Sequence, residues 1–243
     1  HSSTASSVAS SRNTSKKGRG GGRKKKPTKQ ATPKQATPVA VVPSSLGGMF
    51  DTDADSSDDE DECSMISREE NRVYFHSGVD RKSCFKLTAC LREAQKYVAL
   101  KNVMNEFEEM DKIYLHIFSN GGELHSAFQV ADFILKSKVD IVTICEGCVA
   151  SAGTVISLAG TERYIRKNAY MMIHELRSGC VGKYSELADD MENNDRLMGH
   201  MKTYMNERCQ NAKLAKKLDK VMKHDIIWDA EKSLKYGLVD KIV

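Results

Sequence analysis

Two strand-like runs, each ending in a glycine-bearing turn that leads into a helical stretch, constrain this chain more than any other feature. Lys112 to Phe118 is rich in apolar and β-favouring residues and stops at Ser119-Asn120-Gly121-Gly122, after which Ala127 to Leu135 has helical spacing. Val139 to Cys145 is a second such run. It is followed by a turn at Gly147 and a helix from Ser151, within Gly147-Cys148-Val149-Ala150-Ser151-Ala152-Gly153-Thr154. Strand, turn and helix repeated in this order give an α/β fold, in which ligands sit beyond the carboxyl ends of the strands. The two turns are therefore where chemistry is expected.

Periodicity extends the pattern. Val73 to His76 reads as a short strand, and Phe85 to Leu100 as a helix with Leu87, Leu91, Ala94 and Val98 on one face. Tyr164-Ile165 and Tyr170 to Ile173 read as strands, and Leu187 to Cys209 as a long helix. The stripe of Leu187, Met191, Met198, Met201 and Met205 on that helix has the spacing of ordinary core. The chain closes with an extended Ile226-Ile227-Trp228, a helix near Asp229 to Lys235, and Gly237 to Val243.

Composition divides the chain before any motif is consulted. Residues 1–50 hold ten Lys and Arg, no Asp or Glu, and all four prolines, whereas 51–62 carry eight acids and no base. Neither stretch can bury a core. Residues 1–63 are accordingly expected to be a disordered arm, basic over 1–50 and acidic over 51–62. Residues 64–243 are expected to form one folded domain, long enough for a sizeable core. The arm has basic clusters at Lys16 to Arg19 and Arg23 to Lys26, and a tandem Lys-Gln-Ala-Thr-Pro at 29–33 and 34–38. Such an arm suits nuclear import or nucleic-acid binding, or serves as a solvated tail. The chain opens on His1 rather than Met, so a preceding piece is expected.

Seven cysteines, an odd number scattered from Cys63 to Cys209, suit a reducing intracellular compartment, cytoplasm or nucleus, better than a disulfide framework; an organelle or a virion stays open. Cys145 and Cys148 form a C-x-x-C without a second pair at zinc spacing, so a structural role is expected there. The remaining histidines show no metal-ligand spacing. No apolar run reaches the ~18 residues of a membrane span.

The turns carry the parts of a serine hydrolase. A hydroxyl is a weak nucleophile at neutral pH and must be exposed on a sharp turn beside an imidazole and preorganised N–H donors. Ser151 offers the hydroxyl, His174 (in Met171-Met172-Ile173-His174) the base, and Gly122 a backbone N–H. Spacing alone leaves the third triad member open among Asp219, Asp225 and Asp229. Taken singly, the blander readings prevail: Ser151 as a helix N-cap, His174 as a hydrogen-bonded core residue and Asp225 as a turn cap.

The Gly121-Gly122 turn, Gly147 to Thr154, Met172-Ile173-His174 and Tyr236-Gly237-Leu238-Val239-Asp240 together resemble the proteolytic subunit of the Clp protease, and Arg72 to Asp80 is similar to its first core strand and turn. The resemblance spans about residues 72–243 in one order. It implies a ClpP/crotonase-like fold of repeated β-β-α units and a serine endopeptidase acting on unfolded protein chains. Ser151 falls on the family's nucleophile and His174 on its base. Asp225 falls on its triad aspartate, and Gly122 and Ala152 on the pair whose N–H groups form the oxyanion hole. The resemblance further implies seven-membered rings, single or stacked in pairs, fed by an AAA+ ATPase that consumes ATP, with no cofactor in this subunit.

Departures from the family pattern lie at Asn120 and at Glu175-Leu176, both beside the substrate cleft, and at Ile226, where many members carry an arginine that contacts the other ring. The family's axial amino-terminal segment and first helix have no recognisable counterpart. Two rival readings accompany the peptidase. One is an inactive Clp-like scaffold or virion component with a nucleic-acid-binding arm. The other is a crotonase-like acyl-CoA enzyme, which shares the paired N–H donors but needs no serine.

Overall fold

The structure, a computed structural model, describes residues 65–104 and 111–243. The arm expected over 1–63 lies outside the described residues. Among the described residues seven strands form one sheet: β1 (Ile66–Glu69), β2 (Arg72–His76), β3 (Ile113–Ser119), β4 (Ile141–Ala150), β5 (Glu162–Ile165), β6 (Tyr170–Met172) and β7 (Lys241–Ile242). The order is β1-β2-β3-β4-β5-β7, with β6 also pairing with β4. β1 runs antiparallel to β2; every other pairing is parallel. Val73, Phe75, Leu115, Ile117 and Ile141 are fully buried on the face covered by helices, and removing such side chains from water is the main force holding the layers together.

β4 departs from expectation in an informative way. Instead of ending at Cys145 before a turn, the strand runs on through Gly147 to Ala150. Gly147 has φ +55, and a Cβ there would lie 3.2 Å from the Phe118 ring. The glycine is thus a kink within a strand, where the register with β3 shifts between Ile117 and Ser119. On its near side β4 pairs with β5 through Val142 to Cys145, and past the kink it pairs with β6 through Cys148 to Ala150. That change of neighbour carries the strand end, and Ser151, over toward His174.

Helix α1 (Arg81–Met104) begins four residues before the expected Phe85, because Asp80 Oδ1 accepts the Lys82 and Ser83 N–H groups at 2.6 and 2.8 Å. It buries Leu87, Leu91, Ala94 and Val98, the stripe read from sequence. Helices α2 (Leu124–Leu135) and α3 (Ala152–Leu158) follow β3 and β4 directly. Helix α4 (Tyr184–Cys209) is long, as expected, but the core reading of its stripe holds only for its carboxyl half. Met201 and Met205 are buried, whereas Tyr184 is 89% exposed and Met191 63%. The amino half extends past the core, where Leu187 and Met191 line only an open pocket with the 175–180 loop and stay largely exposed.

Two short helices not anticipated from sequence, α5 (Ala212–Ala215) and α6 (Leu218–Met222), precede the loop that carries Asp225. Helix α7 (Ala230–Lys235) closes the chain before β7. The Tyr236 to Asp240 motif is structural. Gly237 has φ +76, with space for no Cβ beside the Cys209 carbonyl, and Asp240 pairs with the Arg163 guanidinium, which also donates to the Arg208 and Gly237 carbonyls at 3.0 Å.

Candidate active site

Ser151 stands between β4 and α3 with φ 54 and ψ −125, a sparsely populated conformation for a residue with a Cβ. Its backbone is pinned on both sides. The Ser151 N–H donates to the Met172 carbonyl at 2.9 Å, and its carbonyl accepts the Thr154 N–H and hydroxyl at 3.0 and 2.6 Å. Its side chain makes no capping hydrogen bond to α3, so the N-cap reading does not describe it. Strain at a polar side chain that caps nothing is the pattern of a presented nucleophile.

The other turn supplies the floor. Gly121 has φ +96, and a Cβ there would lie 2.5 Å from the Ser151 Cβ, so the two turns interlock at a spot only glycine can fill. Gly122 has φ +142 and forms a parallel bridge with Val79. In that bridge the Val79 N–H donates to the Gly121 carbonyl at 2.8 Å, and the Glu123 N–H to the Val79 carbonyl at 2.6 Å. The Gly122 N–H stands outside both bonds. The Ala152 N–H lies in the first turn of α3, where no intrahelical acceptor exists. Gly121, Gly122, Ser151, Ala152 and His174 line one cavity of ≈ 470 Å³, whose apolar wall includes Leu124, Met201 and Met205.

His174 follows β6 directly, its ring 12% exposed. Burial holds its pKa below the ordinary histidine value; the Asp225 carboxylate opposes that shift and the Arg177 cation adds to it. A neutral imidazole is the form that can accept a proton. Asp225 Oδ1 lies 3.7 Å from His174 Nδ1, and its Oδ2 pairs with the Arg177 guanidinium. Asp225 itself lines a second pocket, behind the ring, shared with His174 and Arg177.

The other two aspartates are engaged elsewhere. Asp219 pairs with Lys202 at 2.6 Å on the surface, and Asp229 caps α7 by accepting the Lys232 N–H at 2.8 Å. Asp225 thus does not cap a turn; Asp229 does. Arg177 was not singled out from sequence, where a charged residue in a loop gives no signal. Among the described residues no group of three or more His, Cys, Asp and Glu is placed to hold a metal ion. Cys145 is buried against the Ser157 hydroxyl at 3.0 Å, and burial pushes its thiol up to about 12, which suits packing rather than redox work.

The sequence profile of the Clp protease family matches residues 87–243, more than half of the chain. The chain belongs to the Clp protease family. A point mutant of ClpP1 from Listeria monocytogenes superposes with a TM-score of 0.57 at 20% sequence identity, over 72% of this chain and 91% of that one, a likeness in fold. Family membership makes the protein a Clp-type peptidase in the broad sense. Among the described residues, this Clp-family chain has no helix long and apolar enough to cross a membrane.

Proposed function

We propose that the protein is a serine endopeptidase that hydrolyses peptide bonds in unfolded chains through Ser151, His174 and Asp225. The observation that carries this reading is Ser151: a strained, non-capping serine in one cavity with a half-buried imidazole, whose pKa burial lowers, and two N–H groups outside regular pairing. In the proposed reaction Ser151 Oγ attacks the scissile carbonyl while His174 takes its proton. Gly122 and Ala152 N–H groups stabilise the oxyanion, and His174 returns the proton to the leaving amine. Water, activated by the same imidazole, then releases the acyl group. Asp225 orients the ring and stabilises its charged form.

The cavity wall of Leu124, Met201 and Met205 offers an apolar side-chain subsite, and no step calls for a cofactor. Assembly into rings fed by a partner ATPase belongs to the same reading. The exposed Tyr184, Leu187 and Met191 along α4 support it, as an apolar face that a second copy can cover.

A catalytically silent scaffold is the second reading, favoured by one observation: 3.7 Å between Asp225 and His174 exceeds a hydrogen bond. Catalytic contacts in substrate-free sites are often long and tighten on binding. Cleavage of a fluorogenic peptide and of an unfolded protein by the parent chain, abolished in Ser151→Ala, supports the peptidase. Absence of cleavage by an assembled, folded parent favours the scaffold.

A further inference from the structure

Arg177 has a definite place beside the site. The chain leaving His174 is fixed by two backbone donors: the Glu175 N–H bonds the Met222 carbonyl at 2.8 Å, and the Leu176 N–H bonds Met198 Sδ at 3.1 Å. These anchors, to α6 and α4, set the direction in which the next side chain leaves. Arg177 reaches back across the pocket behind the imidazole and pairs with Asp225 Oδ2. The other carboxylate oxygen, Oδ1, lies 3.7 Å from His174 Nδ1. Asp225 sits in a loop between α6 and α7 and is 42% exposed, so its carboxylate has room to turn.

We infer that Arg177 is a positioning residue, which holds the Asp225 carboxylate in the rotamer that presents Oδ1 to His174. The inference rests on the peptidase reading and extends it by a fourth group acting through the third. A flexible loop carboxylate loses rotamer entropy on each approach to the ring, and a planar guanidinium engaging its far oxygen removes much of that loss in advance. The opposite role is physically distinct: an arginine that draws the carboxylate away would weaken its hold on the ring. Asp225, Arg177 and Glu175 are the charged groups that act on the ring, and Lys223 and His224 line the same pocket.

The test compares the parent with Arg177→Gln, Arg177→Lys, Asp225→Asn and the Arg177→Gln/Asp225→Asn double variant. Arg177→Gln is expected to lower kcat about tenfold, the scale of one charge-assisted hydrogen bond reduced for its exposure to solvent, with little change in KM. Arg177→Lys restores part of the loss, and Arg177→Gln costs nothing further once Asp225 is Asn. An unchanged or raised kcat in Arg177→Gln overturns the inference, as does the same loss in the Asp225→Asn background.

A readout independent of turnover is the His174 imidazole titration followed by NMR in a Ser151→Ala background. Asp225→Asn moves the midpoint down, and this drop is expected to be smaller when Arg177 is Gln, because the freed carboxylate leaves the ring. An equal or larger drop makes Arg177 a bystander or a competitor and overturns the positioning role. If the parent cleaves nothing while the titration follows this pattern, the peptidase reading fails and the coupling stands. If the parent cleaves and the titration does not follow, the reverse holds.

Discussion

The two strand–turn–helix units at the heart of the sheet share a plan and differ in what they place at the strained residue. After β3 the positive-φ positions are Gly121 and Gly122, and after β4 the position is Ser151. Glycine adopts such angles without a Cβ clash, so the first unit offers bare backbone, an N–H turned out of the sheet. Serine there costs about 1–3 kcal/mol of strain, and the second unit bears it while presenting a hydroxyl. The units are complementary in space as well, since the missing Cβ of Gly121 is the room that the Ser151 Cβ needs. On the proposed reading, one fold element, used twice, supplies both the oxyanion-binding backbone and the nucleophile.

The largest effect expected from breaking this pair is on the serine side. Ser151→Ala should remove about 10⁶-fold of the turnover while leaving the melting temperature near that of the parent. Ser157→Ala, a buried serine bonded to Cys145, should retain turnover in the same peptide assay. Next comes the support of the base. Asp225→Asn should lower kcat by about 10⁴-fold, whereas Asp229→Asn, which keeps an acceptable cap on α7, should leave it unchanged. The reverse ranking would move the third triad position to Asp229.

The glycine side should respond differently. A Cβ at Gly122 would lie 2.2 Å from the Val79 carbonyl oxygen, backbone that cannot simply step aside. Gly122→Ala should therefore lower both kcat, by about 10²–10³-fold for a misplaced oxyanion donor, and the melting temperature. A loss of activity with unchanged melting would mean that the bridge adapts. A smaller effect sharpens the contrast: Ser151→Gly should be more stable than Ser151→Ala by about 1 kcal/mol in denaturant unfolding, because it relieves strain the alanine retains.

The smallest expected effect is on pH dependence. Burial holds the pKa of both His174 and His116 below the unfolded value, so the unfolded chain binds more protons than the folded one just below about pH 6.5. Their stability contribution is complete above that pH, declines as pH falls toward the folded-state values, and levels off below them. Melting temperatures measured through this range should fall on acidification, and less steeply in His116→Gln.

What the sequence disclosed follows from which features chemistry fixes locally. Ser151, His174 and Gly122 could be singled out as candidates because a nucleophile on a turn, a base and a nearby N–H require particular residue types at short range, whereas Ala152 entered only with the family resemblance. Spacing alone left Asp225 level with Asp219 and Asp229, since a group proposed to act through space from a loop has no local signature, and it was the family resemblance that chose Asp225. In the structure Asp219 pairs with Lys202 and Asp229 caps α7, while Asp225 lies beside His174. Gly147 was misread because a glycine looks the same whether it ends a strand or kinks one. The exposed amino half of α4 was misread as core because helical periodicity reports an apolar face but not whether anything covers it. β1, with the short and mostly polar sequence Ile66 to Glu69, offered no alternation to read, and Arg177 no motif at all.

The central claim, that Ser151 is presented as a nucleophile, is tested most directly by treating the folded protein with a fluorophosphonate and mapping the adduct by peptide mass spectrometry. A single adduct on Ser151, lost in Ser151→Ala and greatly slowed in His174→Ala, is the predicted result. No adduct on a folded, monodisperse parent, or an adduct on another serine with Ser151 unmodified, would contradict it.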